Sequence, residues 1–395
     1  MKPSFLLALL VIVGLHKNVQ AQDAPPGDTR VITTAVPFLL IAADARAAGM
    51  GDMGVATSVD AFSQQWNPAK YAFSETKQGV GVSFTPYLSR LVNDIFLGNV
   101  TYFNRLNERS AVAGSLKYFS LGDIELRDTP DQIPLIESPN ELTVDLTYAL
   151  RLADQFAMSV TGRYLRSDLR IASQNTDASA ASSFGVDIAG FYQSEEEAYR
   201  DFNGRWRAGF NISNIGPKIR YDEGGQENFI PTNLALGGGF DFILNDGYSV
   251  IGVTAEVNKL LVPTPPIRDL TDADMDGDSS EILEGQDDDV GFIPGIFQSF
   301  GDAPGGFSEE LKEFTWALGA EYTYQDAFAF RTGYFNESDI KGARKFLAIG
   351  AGFKYNVVNV DVSYLFSTSR VQSPLEGTLR FSLTFNIGAE EYDEY

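Results

Sequence analysis

The sequence predicts an all-β protein, a fourteen-stranded antiparallel transmembrane β-barrel with an N-terminal hatch or plug. Three observations carry that prediction. Apolar and polar residues alternate with period two in segments of about nine to thirteen residues. The polar phase carries charges in mid-segment: Asp145, Arg163, Asp187, Arg207, Glu256, Glu321, Arg331 and Asp361. A dry core does not accept such charges unpaired, whereas a wet or plugged lumen does. Finally, tight turns and long loops take turns along the chain. A soluble sandwich also alternates, so the charges and the connections decide.

Composition narrows the function. The chain has 395 residues, with 37 Gly, 29 Phe and 17 Tyr against 21% charged residues, a mix suited to strands, turns and aromatic girdles. It has no Cys and a single His, His16. A mature chain without either has no Ser-His-Asp triad, thiolate nucleophile, disulfide or ordinary zinc or haem ligation. The formal charge is 30 − 53 = −23, and −25 without Lys2 and Lys17. That balance argues against nucleic acid as a partner.

Taken in order, residues 1–21 read as a signal peptide. Lys2 supplies the positive region, Phe5 to Leu15 the apolar core, and Val19-Gln20-Ala21 the cleavage site before Gln22. The apolar core is too short to span a bilayer, and no later run reaches the length of a membrane helix. No Cys follows the cleavage site to take a lipid. The mature chain is therefore expected to be exported. Residues 22–77 form a small-residue region, Ala42 to Gly54 and Ala56 to Phe73, able to make short helices. It reads either as an N-terminal extension or as a plug folded into the lumen.

Strands are placed near 78–86, 92–104, 108–120, 140–152, 155–170, 182–193, 202–212, 229–243, 247–259, 313–324, 326–335, 343–355, 357–367 and 377–388, giving a barrel over 78–388. The last is the clearest, with Leu379, Phe381, Leu383, Phe385 and Ile387 on one face and Arg380, Ser382, Thr384 and Asn386 on the other. Turns near 105–107, 153–154, 244–246, 325 and 356 are tight, while 121–139, 171–181, 213–228 and 260–312 are long. That is the layout of a barrel in the outer membrane of a Gram-negative cell, with short turns in the periplasm and long loops outside. The 193–202 connection is longer than its siblings. The acidic tail, 389–395, is expected in the periplasm.

Asp272, Asp274, Asp276 and Asp278 repeat the first half of a calcium loop, Asp-x-Asp-x-Asp-Gly, where alternate carboxylates converge on one ion. Position twelve is Leu283, so Glu281 or Glu284 would have to close the site. Ten acids and no base lie between Asp269 and Asp289. The segment reads either as a structural Ca²⁺ site or as a solvated acidic loop, and no other cofactor is expected. Asn67-Pro68-Ala69 fits a gate or an ordinary hatch turn. Arg205 and Arg207 share the lumen phase and fit either an anionic ligand or carboxylates of hatch and wall.

The hatch residues also carry a resemblance. Pro37-Phe38-Leu39, Asp44-Ala45-Arg46-Ala47, Gly49-Met50-Gly51-Asp52 and Trp66-Asn67-Pro68-Ala69 resemble the hatch of the FadL family of fourteen-stranded barrels. They resemble most closely the PorV (LptO) family, the FadL-like barrels of the type IX secretion system of Bacteroidetes. The match covers roughly residues 36–73, with Asp44, Arg46, Gly49, Gly51, Asn67, Pro68 and Ala69 as its hatch motif. The resemblance implies a non-enzymatic outer-membrane component in contact with lipid and lipopolysaccharide. It would bind the C-terminal signal domains of secreted cargo and carry them from an SprA-type translocon to a PorU-type attachment complex. The acidic loop, the acidic tail and the lack of a fatty-acid-pocket signature depart from FadL transporters. An alternative is a FadL-like channel for hydrophobic compounds. It requires an apolar pocket and a kinked strand, for which Phe119 to Gly122 is the candidate. A lipopolysaccharide O-deacylase, an activity suggested for this family, is a third reading, and the missing His argues against it.

Overall fold

The computed structural model describes residues 30–127, 131, 133–169, 179–222, 225–245, 247–269, 281–369 and 373–389. The expected leader 1–21, residues 390–395 of the acidic tail, and Asp272, Asp274, Asp276 and Asp278 lie outside the described residues.

Fourteen long strands close a single antiparallel barrel. They are β1 Thr76–Pro86, β2 Ile95–Arg105, β3 Ser110–Leu121, β4 Asn140–Ala153, β5 Phe156–Asp168, β6 Ala181–Gln193 and β7 Asn203–Ile215. The second half holds β8 Asn233–Leu244, β9 Ser249–Leu260, β10 Thr315–Tyr324, β11 Phe328–Asn336, β12 Lys345–Tyr355, β13 Val358–Ser367 and β14 Leu379–Ala389. Each pairs with its sequence neighbours, and β1 pairs with β14 through Val82↔Leu383, so no edge is left open. The wall's backbone groups thereby pair strand to strand around the ring, as a bilayer requires. Every expected strand is present, displaced by a few residues at its ends. The 193–202 connection is a hairpin extension in which Glu197–Ala198 pairs with the start of β7.

The faces are inverted relative to a soluble protein. Leu146 is 71% exposed while its neighbour Asp145 is 4% exposed. The same holds around the ring: Phe84, Tyr102, Phe184, Trp206, Phe330 and Phe381 point outward, and Thr85, Thr101, Asp187, Arg207, Arg331 and Arg380 are buried within. Such an outer face finds its favourable solvent in lipid. Among the described residues no helix is long and apolar enough to cross a membrane.

The wall is regular where the sequence places a kink. β3 stays in register with β2 as far as Ile95↔Leu121, and Gly122, at φ +80°, simply ends the strand. Register shifts occur instead in β7, between Ile212 and Ile215 with Asn214 in the left-handed region, and in β4, between Arg151 and Ala153 at the short-turn end.

Residues 30–74 run through the lumen. Arg30 N donates to Ile340 O and Ala35 N to Phe229 O, both in connections of the long-loop end. Phe38 and Leu39 then pack with Leu97, Phe119 and Leu165 in an apolar cluster near that end. At the short-turn end Ala69 and Ala72 pack on Ala157 and Phe191, and Phe73 meets Phe191 edge-on. The segment is therefore a plug, and β1 returns toward the long loops from its base.

Candidate functional site

The hatch is built from short elements that its small residues permit. Asp44 caps the helix Ala45–Gly49, its carboxylate accepting Ala47 N at 2.8 Å and Trp66 Nε1 at 2.7 Å. The following Gly-Met-Gly lies in a trough of wall glycines. A methyl on Gly49 would come within 3.0 Å of Gly350 Cα, and one on Gly333 within 2.0 Å of the Met50 carbonyl carbon. Gly51 turns at φ +90°, which a side chain would resist. Asn67 caps the 3₁₀ helix Pro68–Phe73, and its amide donates to Val55 O and to Gly190 O of the wall, both at 2.9 Å. Asn67, Pro68 and Ala69 are thus buried between hatch and wall.

Charge fixes the hatch to the wall. Arg46 donates to both oxygens of Glu321 on β10, at 3.0 and 2.8 Å, and to Asp60 at 2.8 Å. Glu321 also pairs with Arg331, which reaches Asp361 at 2.6 Å. Glu256 accepts the backbone N–H groups of Gly54 and Val55 at 2.9 and 2.8 Å, and Arg380 pairs with Asp52 at 2.8 Å. Across the ring, Arg163 bridges Asp145 and Asp187 at 2.7 and 2.9 Å. The mid-strand charges are accordingly the partners of a plug and of one another. Arg207 pairs with Asp241 at 2.6 Å and donates to Ala56 O, while Arg205 faces Glu196 at 3.5 Å. Neither guanidinium stands as an anion site of its own.

A lid closes the long-loop end. The β9–β10 connection contains the helix Phe292–Gln298 and the turn Phe307–Glu310. Lys341 reaches Glu309 at 2.7 Å and Glu313 at 2.9 Å, Lys259 reaches Glu313 at 2.5 Å, and Arg30 reaches Glu309 at 2.6 Å. Burial works to raise Glu309, but donors from Arg30 and Lys341 outweigh it and hold it at about 2. Burial, together with Glu313 and Glu310, pushes Asp302 up to about 6. Nothing in the sequence marks this cluster, because its acids look like ordinary loop charge. Glu281 and Glu284 are exposed on a small hairpin, Ile267–Arg268 with Ile282–Glu284, where Asp269 N also donates to Glu281 O at 2.8 Å.

Two cavities are polar. One of about 200 Å³ opens at the short-turn end beside Phe73, Arg151, Gln155, Glu195 and Arg205. Another, of about 30 Å³, lies between hatch and wall beside Gln65, Asn99, Lys117, Asp145 and Arg163.

A family model described as "Type IX secretion system protein PorV" matches residues 24–267, more than half of the chain. No curated protein sequence matches. Among solved structures, the chain is similar to the toluene transporter TodX of P. putida, at 12% identity and a TM-score of 0.47, covering 89% of this chain and 100% of that one. It is also similar to a Pseudomonas aeruginosa FadL homologue, at 12% identity and a TM-score of 0.43, covering 91% of this chain and 99% of that one. The fold assignment itself rests on the strand register above.

Proposed function

The chain belongs to the PorV family of type IX secretion system proteins, and from that premise we propose that it is a non-catalytic adaptor of the outer membrane. It binds the C-terminal signal domains of secreted cargo and carries them from an SprA-type translocon to a PorU-type attachment complex. The observation that carries this reading is the filled lumen: the hatch is tied to the wall through Arg46–Glu321, Asp52–Arg380 and Asn67. A barrel plugged in this way acts through its outside and its loops. Recognition is assigned to the loops at 121–139 and 260–312, since loops on a rigid scaffold carry binding. Ile133, Leu135 and Ile136 stand exposed on the first, and Phe297, Phe300 and Phe307 on the second. The acidic segment of the second loop is proposed to take Ca²⁺ weakly.

The FadL-like channel is the competing reading. It calls for an apolar cavity between hatch and wall, and the cavity there is small and lined by charge. Deleting the gene is expected to strand cargo in the periplasm with the outer membrane intact. Purification from native membranes in mild detergent is expected to recover translocon and attachment subunits. Normal surface display in the deletion strain would overturn the adaptor and favour the channel.

A further inference from the structure

Under the lid lies a buried carboxylate cluster that the hatch does not use and the adaptor role does not require. Asp302, Glu310 and Glu313 are all buried, and one oxygen of each lies within 4.8 Å of the others. Most of their oxygens have donors. Asp302 Oδ2 accepts Thr264 N at 3.0 Å, Glu310 Oε1 accepts Ala303 N at 2.8 Å, and Glu313 Oε1 accepts Thr264 Oγ1 at 2.5 Å. Asp302 Oδ1 has none, although the residue is 1% exposed. A buried carboxylate oxygen without a donor is a defect that a folded chain rarely tolerates, and a bound cation removes it.

The charge balance agrees. Four carboxylates (Asp302, Glu309, Glu310, Glu313) face three cations (Arg30, Lys259, Lys341), leaving −4 + 3 = −1. All candidate ligands are hard oxygens, the set that suits calcium rather than a softer metal. We propose that Asp302, Glu310 and Glu313 form a divalent-cation site, filled by Ca²⁺ from the medium, that cross-links the lid internally and holds its Asp302 turn against the segment leading into β10. Its ligands are not those of the Asp272–Asp278 segment, and it is independent of the adaptor reading. Lys259 Nζ, 3.3 Å from Glu310 and 2.5 Å from Glu313, competes for the same oxygens. The rings of Phe300 and Phe314, with centroids 5.7 and 5.3 Å from that nitrogen, offer the displaced ammonium a second resting place. Because the ion must exchange with this ammonium, affinity falls near the extracellular range, roughly 10⁻⁴–10⁻³ M.

The test uses the full chain in detergent with Asp272→Asn, Asp274→Asn and Asp276→Asn, so that the acidic segment is silenced. Tb³⁺ luminescence sensitised by the protein's aromatic residues and competed by Ca²⁺ should report one remaining site. Adding Asp302→Asn should abolish it, Glu310→Gln should weaken it at least tenfold, and Lys259→Met should tighten it several-fold. Heat-modifiable gel mobility checks that each barrel is folded. Should Lys259→Met fail to fold, the two carboxylate variants decide alone. Absence of a site in the silenced background, or a signal unchanged by Asp302→Asn, overturns the proposal.

Discussion

Gly333 lies directly against the hatch, because any Cβ there meets the Met50 carbonyl. Gly333→Ala is therefore expected to lift Gly49–Gly51 off the wall while the strand ladder survives. Limited proteolysis of the hatch should accelerate in this variant, with heat-modifiable mobility of the barrel unchanged. Gly162, which has nothing within 4 Å of a built Cβ, is the control, and Gly162→Ala should behave as the parent. Equal protection in both variants would mean that the hatch does not dock in this trough. Arg46 tests the charges in the same place. It is 8% exposed and holds both Glu321 and Asp60, so Arg46→Met leaves two half-buried carboxylates short of a partner. Breaking a fully buried pair on one side costs about 3–5 kcal/mol, and the loss here should be smaller because Glu321 keeps Arg331 and both carboxylates are half-buried. Adding Glu321→Gln should recover part of that loss, read as the denaturant midpoint for hatch cleavage. A double variant no better than Arg46→Met would show that the two groups do not act as a pair.

At the scale of the strand, outward positions should tolerate charge according to depth. Leu383→Arg at the middle of β14 is expected to cost about 2–4 kcal/mol, and Ile387→Arg near its end about 0–1 kcal/mol, because water hydrates the charge only at the interface. Equal costs in refolding into liposomes would misplace the bilayer. The lumen face is no safe haven for charge, contrary to a water-filled pore: Thr384 is 4% exposed beneath the hatch, so Thr384→Arg is destabilising by crowding. For the long loop, Ca²⁺ bound at Asp272, Asp274 and Asp276 should slow cleavage between residues 265 and 290. Equal rates with and without chelator leave only a solvated loop. The strands were legible because their alternation is local and repeats along each segment. Their contacts to the hatch were not: Arg46 and Glu321 are 275 residues apart, and no pattern in sequence links such positions. Gly49, Gly51 and Asn67 of the hatch motif lie against the wall, but no local pattern reveals the glycine trough opposite. Glu309, Glu310 and Glu313 are not legible in the sequence, because burial, which sets them apart from solvated acids, comes only from the folded lid.

For the whole molecule, the two functional readings differ in whether the hatch must move. A conduit through this lumen would have to break the ties of Arg46, Asp52 and Asn67 and pull apart the apolar cluster around Phe38. An adaptor that works on its outer surface needs none of that. Gly49 and Ser363 allow a direct test, because a Cβ built on Gly49 lies 3.5 Å from Ser363 Cβ. Disulfide Cβ separations run from about 3.5 to 4.5 Å, so Gly49→Cys with Ser363→Cys is at the short end of that range. The Gly350 backbone, 3.0 Å from the new Cβ, has only to give by a few tenths of an ångström. With no native Cys in the chain, the engineered pair has only each other to oxidise with. The bridge is expected to form in an oxidising compartment and to leave cargo display at the parental level, with or without reductant. Loss of display that returns on reduction would mean that the hatch travels during the working cycle. The plug would then be a gate, and the lumen, not the loops, would have to be the path.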